Sequence, residues 1–137
     1  MKRWWVALLL AGCGDLYSSQ HIPLREYATI ELEPACVEAD GQPWLLTGTA
    51  ELGRPGFVQR VLWDDLDLEV QAWQASCEDL LRGTVPVASD TLEVCFVVVA
   101  ALDAAAGDRD LTVYLEAGDG LIVATATLGV RADCGAP

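Results

Sequence analysis

Basic and nucleophile-activating side chains are what this 137-residue chain has least of: it carries one lysine, Lys2, and one histidine, His21. Ser-His, Cys-His and Schiff-base chemistry each need an imidazole or an amine within reach of the reacting group. His21 sits in a segment without periodicity and reads as a solvated linker residue. No Gly-x-Ser-x-Gly, His-Glu-x-x-His or phosphate-cradling glycine loop occurs. The cysteines show no Cys-x-x-Cys spacing and no neighbouring histidines, so a zinc site is not expected. The N-terminal apolar run, Trp4 to Ala11, is eight residues long. A membrane-spanning helix needs about 20. Paired carboxylates for glycoside hydrolysis remain available. The acidic residues, however, mostly alternate outward on strands or lie in turns, so the expectation is a protein that is not an enzyme.

What is present begins at the N-terminus. Lys2 and Arg3 precede the apolar stretch from Trp4 to Ala11, and small residues close it, the arrangement of a secretory signal peptide. The closing Leu10-Ala11-Gly12-Cys13 resembles the lipobox of bacterial lipoproteins. The resemblance covers only these residues. It implies cleavage before Cys13, with fatty chains on the thiol and on the new amino terminus. It also implies a membrane-anchored cell-envelope location. In the enteric lipoproteins an aspartate directly after the lipidated cysteine retains the protein in the inner membrane; here Gly14 takes that place and Asp15 follows. If the cell has two membranes, the outer one is the better expectation.

The chain therefore divides into a signal peptide (1–12), a lipidated cysteine with its tether (13–26) and a folded domain (27–137). Without residues 1–12, six arginines face 21 acidic residues, a net charge of 6 − 21 = −15. Such a charge argues against nucleic acid or a bare anionic membrane surface as partner, and favours cations or basic proteins. An acidic surface that only confers solubility is the plainer alternative.

With Cys13 taken by lipid, Cys36, Cys77, Cys95 and Cys134 remain, an even set in an oxidising compartment. Four cysteines allow three connectivities, and spacing alone does not choose among them. Strand direction favours Cys36 with Cys134, after the first and last strands, and Cys77 with Cys95.

From Tyr27 onward the apolar pattern has period two, and strands are expected near 27–33, 45–52, 57–63, 66–74, 91–100, 110–117 and 121–130. Alternation is clean in Leu66, Leu68, Val70 and Ala72, and again in Leu111, Val113 and Leu115. Gly53-Arg54-Pro55-Gly56 and Gly118-Asp119-Gly120 read as hairpin turns, and Asp64-Asp65 as a third. Ser76 caps a short helix over Cys77–Arg82, with Gly83 as its stop. Seven short strands without a long helix predict an all-β domain, a two-layer antiparallel β-sandwich of immunoglobulin-like architecture. A small closed β-barrel is the alternative. Trp44, Trp63, Trp73, Phe57 and Phe96 are expected in core or edge packing.

If the strands alternate up and down, the connections after the first, third and fifth share one end. They bring Glu38 and Asp40, Asp64 and Asp65, and Asp103, Asp108 and Asp110 together, with Asp133 joining from the tail. Oxygen ligands from several loops suit Ca2+, so Asp64, Asp65, Asp103, Asp108 and Asp110 are the candidate calcium ligands. No Asp-x-Asp-x-Asp-Gly loop is present, and aspartate also favours turns for local hydrogen bonding, so solvated turn residues with no cofactor are the favoured reading and calcium the alternative. The function expected is a non-enzymatic binding or structural module of the envelope, taking a protein or surface polymer. The alternative is an acidic inhibitor of a basic, lysozyme-like hydrolase.

Overall fold

The computed structural model describes residues 25–84, 89–118 and 120–135. The lipobox, Cys13 and His21 lie outside the described residues. The chain is nearly all β, as its period-two pattern predicts. In chain order the elements are β1 (Arg25–Glu33), β2 (Cys36–Glu38), β3 (Pro43–Glu51), β4 (Phe57–Leu62), β5 (Leu68–Trp73), α1 (Cys77–Arg82), β6 (Thr91–Ala100), β7 (Gly107–Ala117) and β8 (Gly120–Arg131). β1 starts at Arg25, taking in two residues read as tether. β2 was not expected at all, since three residues are too short to show a period.

The strands line up as β4-β7-β8-β1-β3-β6-β5, with β2 also on β8. β1 joins the two halves. Its residues Arg25–Ile30 pair with β8, and Glu31–Glu33 then leave to pair with β3. Lettered along the chain with the three-residue β2 left out, the halves read A-B-E-D and C-F-G, the order of an immunoglobulin constant-type sandwich. Because β1 stitches them together, the path curls into a nearly closed barrel, with β4 and β5 facing each other across the one seam.

Two expectations about the strands need correction. β1 and β2 run parallel to β8, so the sheet is mixed rather than antiparallel throughout. Of the three expected hairpins, only the one at Gly118–Gly120 joins paired strands. Gly53–Gly56 and Asp64–Asp65 cross between the halves, because β3 and β5 pair with β6 whereas β4 pairs with β7. Turn residues report that the chain reverses; they do not report which neighbour it reverses onto.

Inward residues alternate along the strands. Leu111, Val113, Leu115 and Ala117 on β7 are fully buried, as are Ala124, Ala126, Leu128 and Val130 on β8. Leu46, Val94, Phe96 and Val98 fill the other half. Each large side chain among these contributes about 1.5–3 kcal/mol by leaving water. Gly48 is small for a reason: a Cβ there would stand 2.6 Å from Ile30 Cγ2 and 3.0 Å from Phe96 Cε2. Leu66, expected inward, is fully exposed in the turn before β5. Among the other expected packing residues, Phe96 is core, Trp44 and Trp63 pack against the core, and Phe57 and Trp73 stand at the surface.

α1 begins as its cap requires. The Ser76 hydroxyl accepts the Asp79 N–H at 3.1 Å, and Gly83 ends the helix in the left-handed region at φ 74°. The helix lies on β6 through Cys77–Cys95, and the Cys77 N–H donates to Thr47 Oγ1 on β3. Cys36 and Cys134 form the second pair, with Cα atoms 5.8 Å apart. Both pairings are those that strand direction favoured. Among the described residues no helix is long and apolar enough to cross a membrane.

Candidate functional site

The connections 39–42, 63–67 and 101–106 meet at one end of the barrel, as up-and-down alternation requires. Gly41 N–H donates to Ala100 O, Ala101 N–H to Asp67 O, and Cys134 N–H to Glu38 Oε2. The acidic residues of the connections do reach one end, and the chain supplies partners for several of them. Arg109 follows the inward parity of Leu111 and Val113, so its side chain turns into the open end of the barrel. Its side chain is only 10% exposed, and the guanidinium stands 2.8 Å from Asp67 Oδ1 and 3.5 Å from Asp65 Oδ1 and also donates to Ala105 O. One cation thus ties together two of the three connections that carry the acids, 63–67 and 101–106.

Of the other carboxylates, Asp40, Asp133, Asp108 and Asp110 are held one by one. Asp40 accepts from Gln42 N–H and from the Trp44 indole. Asp133 accepts the Gly135 N–H. Asp64 and Asp103 lie exposed in their connections. Asp108 and Asp110 are not loop residues: both stand on the outer face of β7, where Asp108 pairs with Arg131 at 3.1 Å and Asp110 accepts the Thr127 hydroxyl at 2.8 Å. The five candidate calcium ligands are therefore split between the end and the face. Among the described residues no three His, Cys, Asp or Glu side chains converge as a metal-holding group. Arg109 was missed in the sequence because a charge seldom takes an inward position. The parity of β7 carried back two residues would have found it.

The outer face of β4, β7, β8 and β1 is a different surface. Register sets Tyr27, Val123, Tyr114 and Arg60 in one row across the four strands. Leu62 flanks that row on β4 by the parity of Arg60, and a register shift between Val58 and Arg60 brings Phe57 to the same face, opposite Glu116. Tyr27 is 75% exposed, Phe57 52% and Leu62 43%. The Arg60 guanidinium lies 4.8 Å from the Tyr114 ring centroid, a cation–π contact that holds both side chains against the sheet. A solvated sheet face is ordinarily polar at alternate positions. Here large apolar side chains occupy positions from which the core gains nothing, beside an arginine held in place. No protein-family model matches the chain, and no curated protein matches it significantly.

Proposed function

We propose that this protein is a lipid-anchored envelope module, not an enzyme, that binds a protein or a surface polymer on the outer face of β4, β7, β8 and β1. The observation that carries the reading is the row Tyr27–Val123–Tyr114–Arg60 with Phe57 and Leu62 beside it. Tyrosine, phenylalanine and arginine gather in the centres of protein interfaces, where large side chains with few rotatable bonds lose little entropy on docking. Contiguous exposed apolar side chains on a soluble domain mark such surfaces. The lipobox adds location: Cys13 ties the domain to the membrane, with the outer membrane preferred because Gly14, not Asp15, follows the cysteine. The short tether keeps the face close to the lipid surface.

The test is co-purification from solubilised envelope with residues 14–137 as bait, beside the double variant Tyr27→Ala, Phe57→Ala. An envelope protein or polymer held by the natural chain and lost from the variant supports the reading. Equal capture by both overturns the assignment to this face. A basic hydrolase on the bait, inhibited by it, moves the protein to the inhibitor class.

A further inference from the structure

The seam between β4 and β5 is a second surface, which shares Arg60 with the outer face. Among the described residues β5 pairs only with β6 and β4 only with β7, so each turns one backbone edge to the other. Ala101 N–H donates to Asp67 O, which places the odd-numbered residues of β5 in hydrogen-bonded register with β6. Val70 and Ala72 therefore turn their N–H and C=O groups to the seam. On β4 the Val58 N–H points the same way. The groove between the edges has a volume of about 470 Å³, and Val58, Val61, Val70 and Ala72 line it. Side chains bridge its two ends: the Trp63 indole donates to Leu68 O at 3.2 Å, and Gln74 spans to β4.

Gln74 shows what this edge recognises. Its carboxamide accepts the Val58 N–H at 2.8 Å and donates to Gly56 O at 2.6 Å. One amide takes an N–H and gives an N–H to the same strand edge, as the peptide group of a neighbouring strand would. A strand residue fills roughly 3.3 × 4.8 × 10 Å, about 160 Å³, so the groove holds about three residues of extended chain. We propose that this seam is a β-addition site that takes an extended, basic peptide segment and closes the barrel. Small apolar side chains at alternate positions would face Val58, Val61, Val70 and Ala72. Lysine or arginine at the positions between would face water. The charge follows from the chain's net −13 and from the Trp63 end, where Arg109 offsets only one charge of Asp64, Asp65 and Asp67 and Glu69 stands on β5; Arg60, which also lines the groove, is held on the Tyr114 ring. Main-chain pairing supplies affinity in this mode and the alternate side chains supply selectivity.

The probe is a short synthetic peptide alternating Val and Lys, with the same sequence N-methylated at alternate backbone nitrogens as control. Amide hydrogen exchange of the full chain in detergent should show new protection confined to residues 57–62 and 68–74 with the first peptide. Ala72→Pro removes a seam-facing N–H and leaves the ladder to β6 intact. It should weaken binding roughly twofold to tenfold, the range of one backbone hydrogen bond. Gln74→Ala removes the internal competitor for Val58 and should bind at least as tightly as the natural chain. Equal binding of the N-methylated peptide would reduce the effect to charge attraction and overturn the proposal. So would protection elsewhere on the domain, no binding at millimolar peptide, or seam protection that rises with protein concentration alone. The last result would assign the edge to a second copy of the chain.

Discussion

Replacing Arg109 with methionine removes the one cation that ties the connections 63–67 and 101–106 together while keeping an apolar stem in the barrel end. Arg109 is 10% exposed, and it faces Asp67 at 2.8 Å and Asp65 at 3.5 Å. Removing one partner from a buried pair costs about 3–5 kcal/mol, because the other charge stays desolvated. Here the carboxylates keep much of their water, Asp67 being 30% and Asp65 38% exposed, so the cost falls below that range. A charge-assisted hydrogen bond of about 1.5–3 kcal/mol is the better measure of the lost contact. The expected loss is thus about 2–3 kcal/mol. At roughly 4 °C per kcal/mol for a domain of this size, the melting temperature should fall by about 8–12 °C. Thermal unfolding followed by circular dichroism measures the fall, and a double-mutant cycle with Asp67→Asn isolates the pair. A fall under about 3 °C, or additive single effects, would refute the reasoning, since residues in one ion-pair network couple by at least about 0.5 kcal/mol. The same assay addresses calcium. With Arg109 on Asp65 and Asp67, calcium chloride should stabilise the natural chain no more than sodium chloride of equal ionic strength; a calcium-specific rise of several degrees would restore the metal reading.

Other outcomes follow from single contacts. Gly48→Ala should destabilise by about 1–3 kcal/mol in a denaturant titration, because its Cβ would press on Ile30 and Phe96, both buried. Cys77→Ala with Cys95→Ala opens a loop of 18 residues and should cost about 3 kcal/mol by loop entropy; the pair Cys36 and Cys134, 98 residues apart, should cost nearly 5. Cys13→Ser should move the protein from the detergent phase to the aqueous phase of a phase-separation assay, since each buried methylene of a fatty chain contributes about 0.8 kcal/mol to anchoring. Equal partitioning of the two proteins would remove the lipoprotein reading.

Local chemistry was enough for much of this protein. The alternation of Leu111, Val113 and Leu115 marked a strand with one buried face because side-chain direction in a strand has period two whatever lies beside it. Ser76 and Gly83 marked both ends of α1 because a cap is a bond between residues three or four apart. The acidic residues of the connections could be assigned to one end from strand count alone, and strand direction was enough to pair the four cysteines. Lateral neighbours were another matter. Whether Gly53–Gly56 and Asp64–Asp65 turn within a sheet or cross between halves depends on which distant strand covers each edge, and nothing in the turn records that. β1 is parallel to β8 along Arg25–Ile30 and antiparallel to β3 along Glu31–Glu33, a switch that no local pattern records. The inward Arg109, the outward pair Asp108 and Asp110, the Gln74 bridge and the exposed row at Tyr27 likewise belong to the assembled barrel. Each is set by residues tens of positions away, so only the tertiary structure decided where these groups stand and what they face.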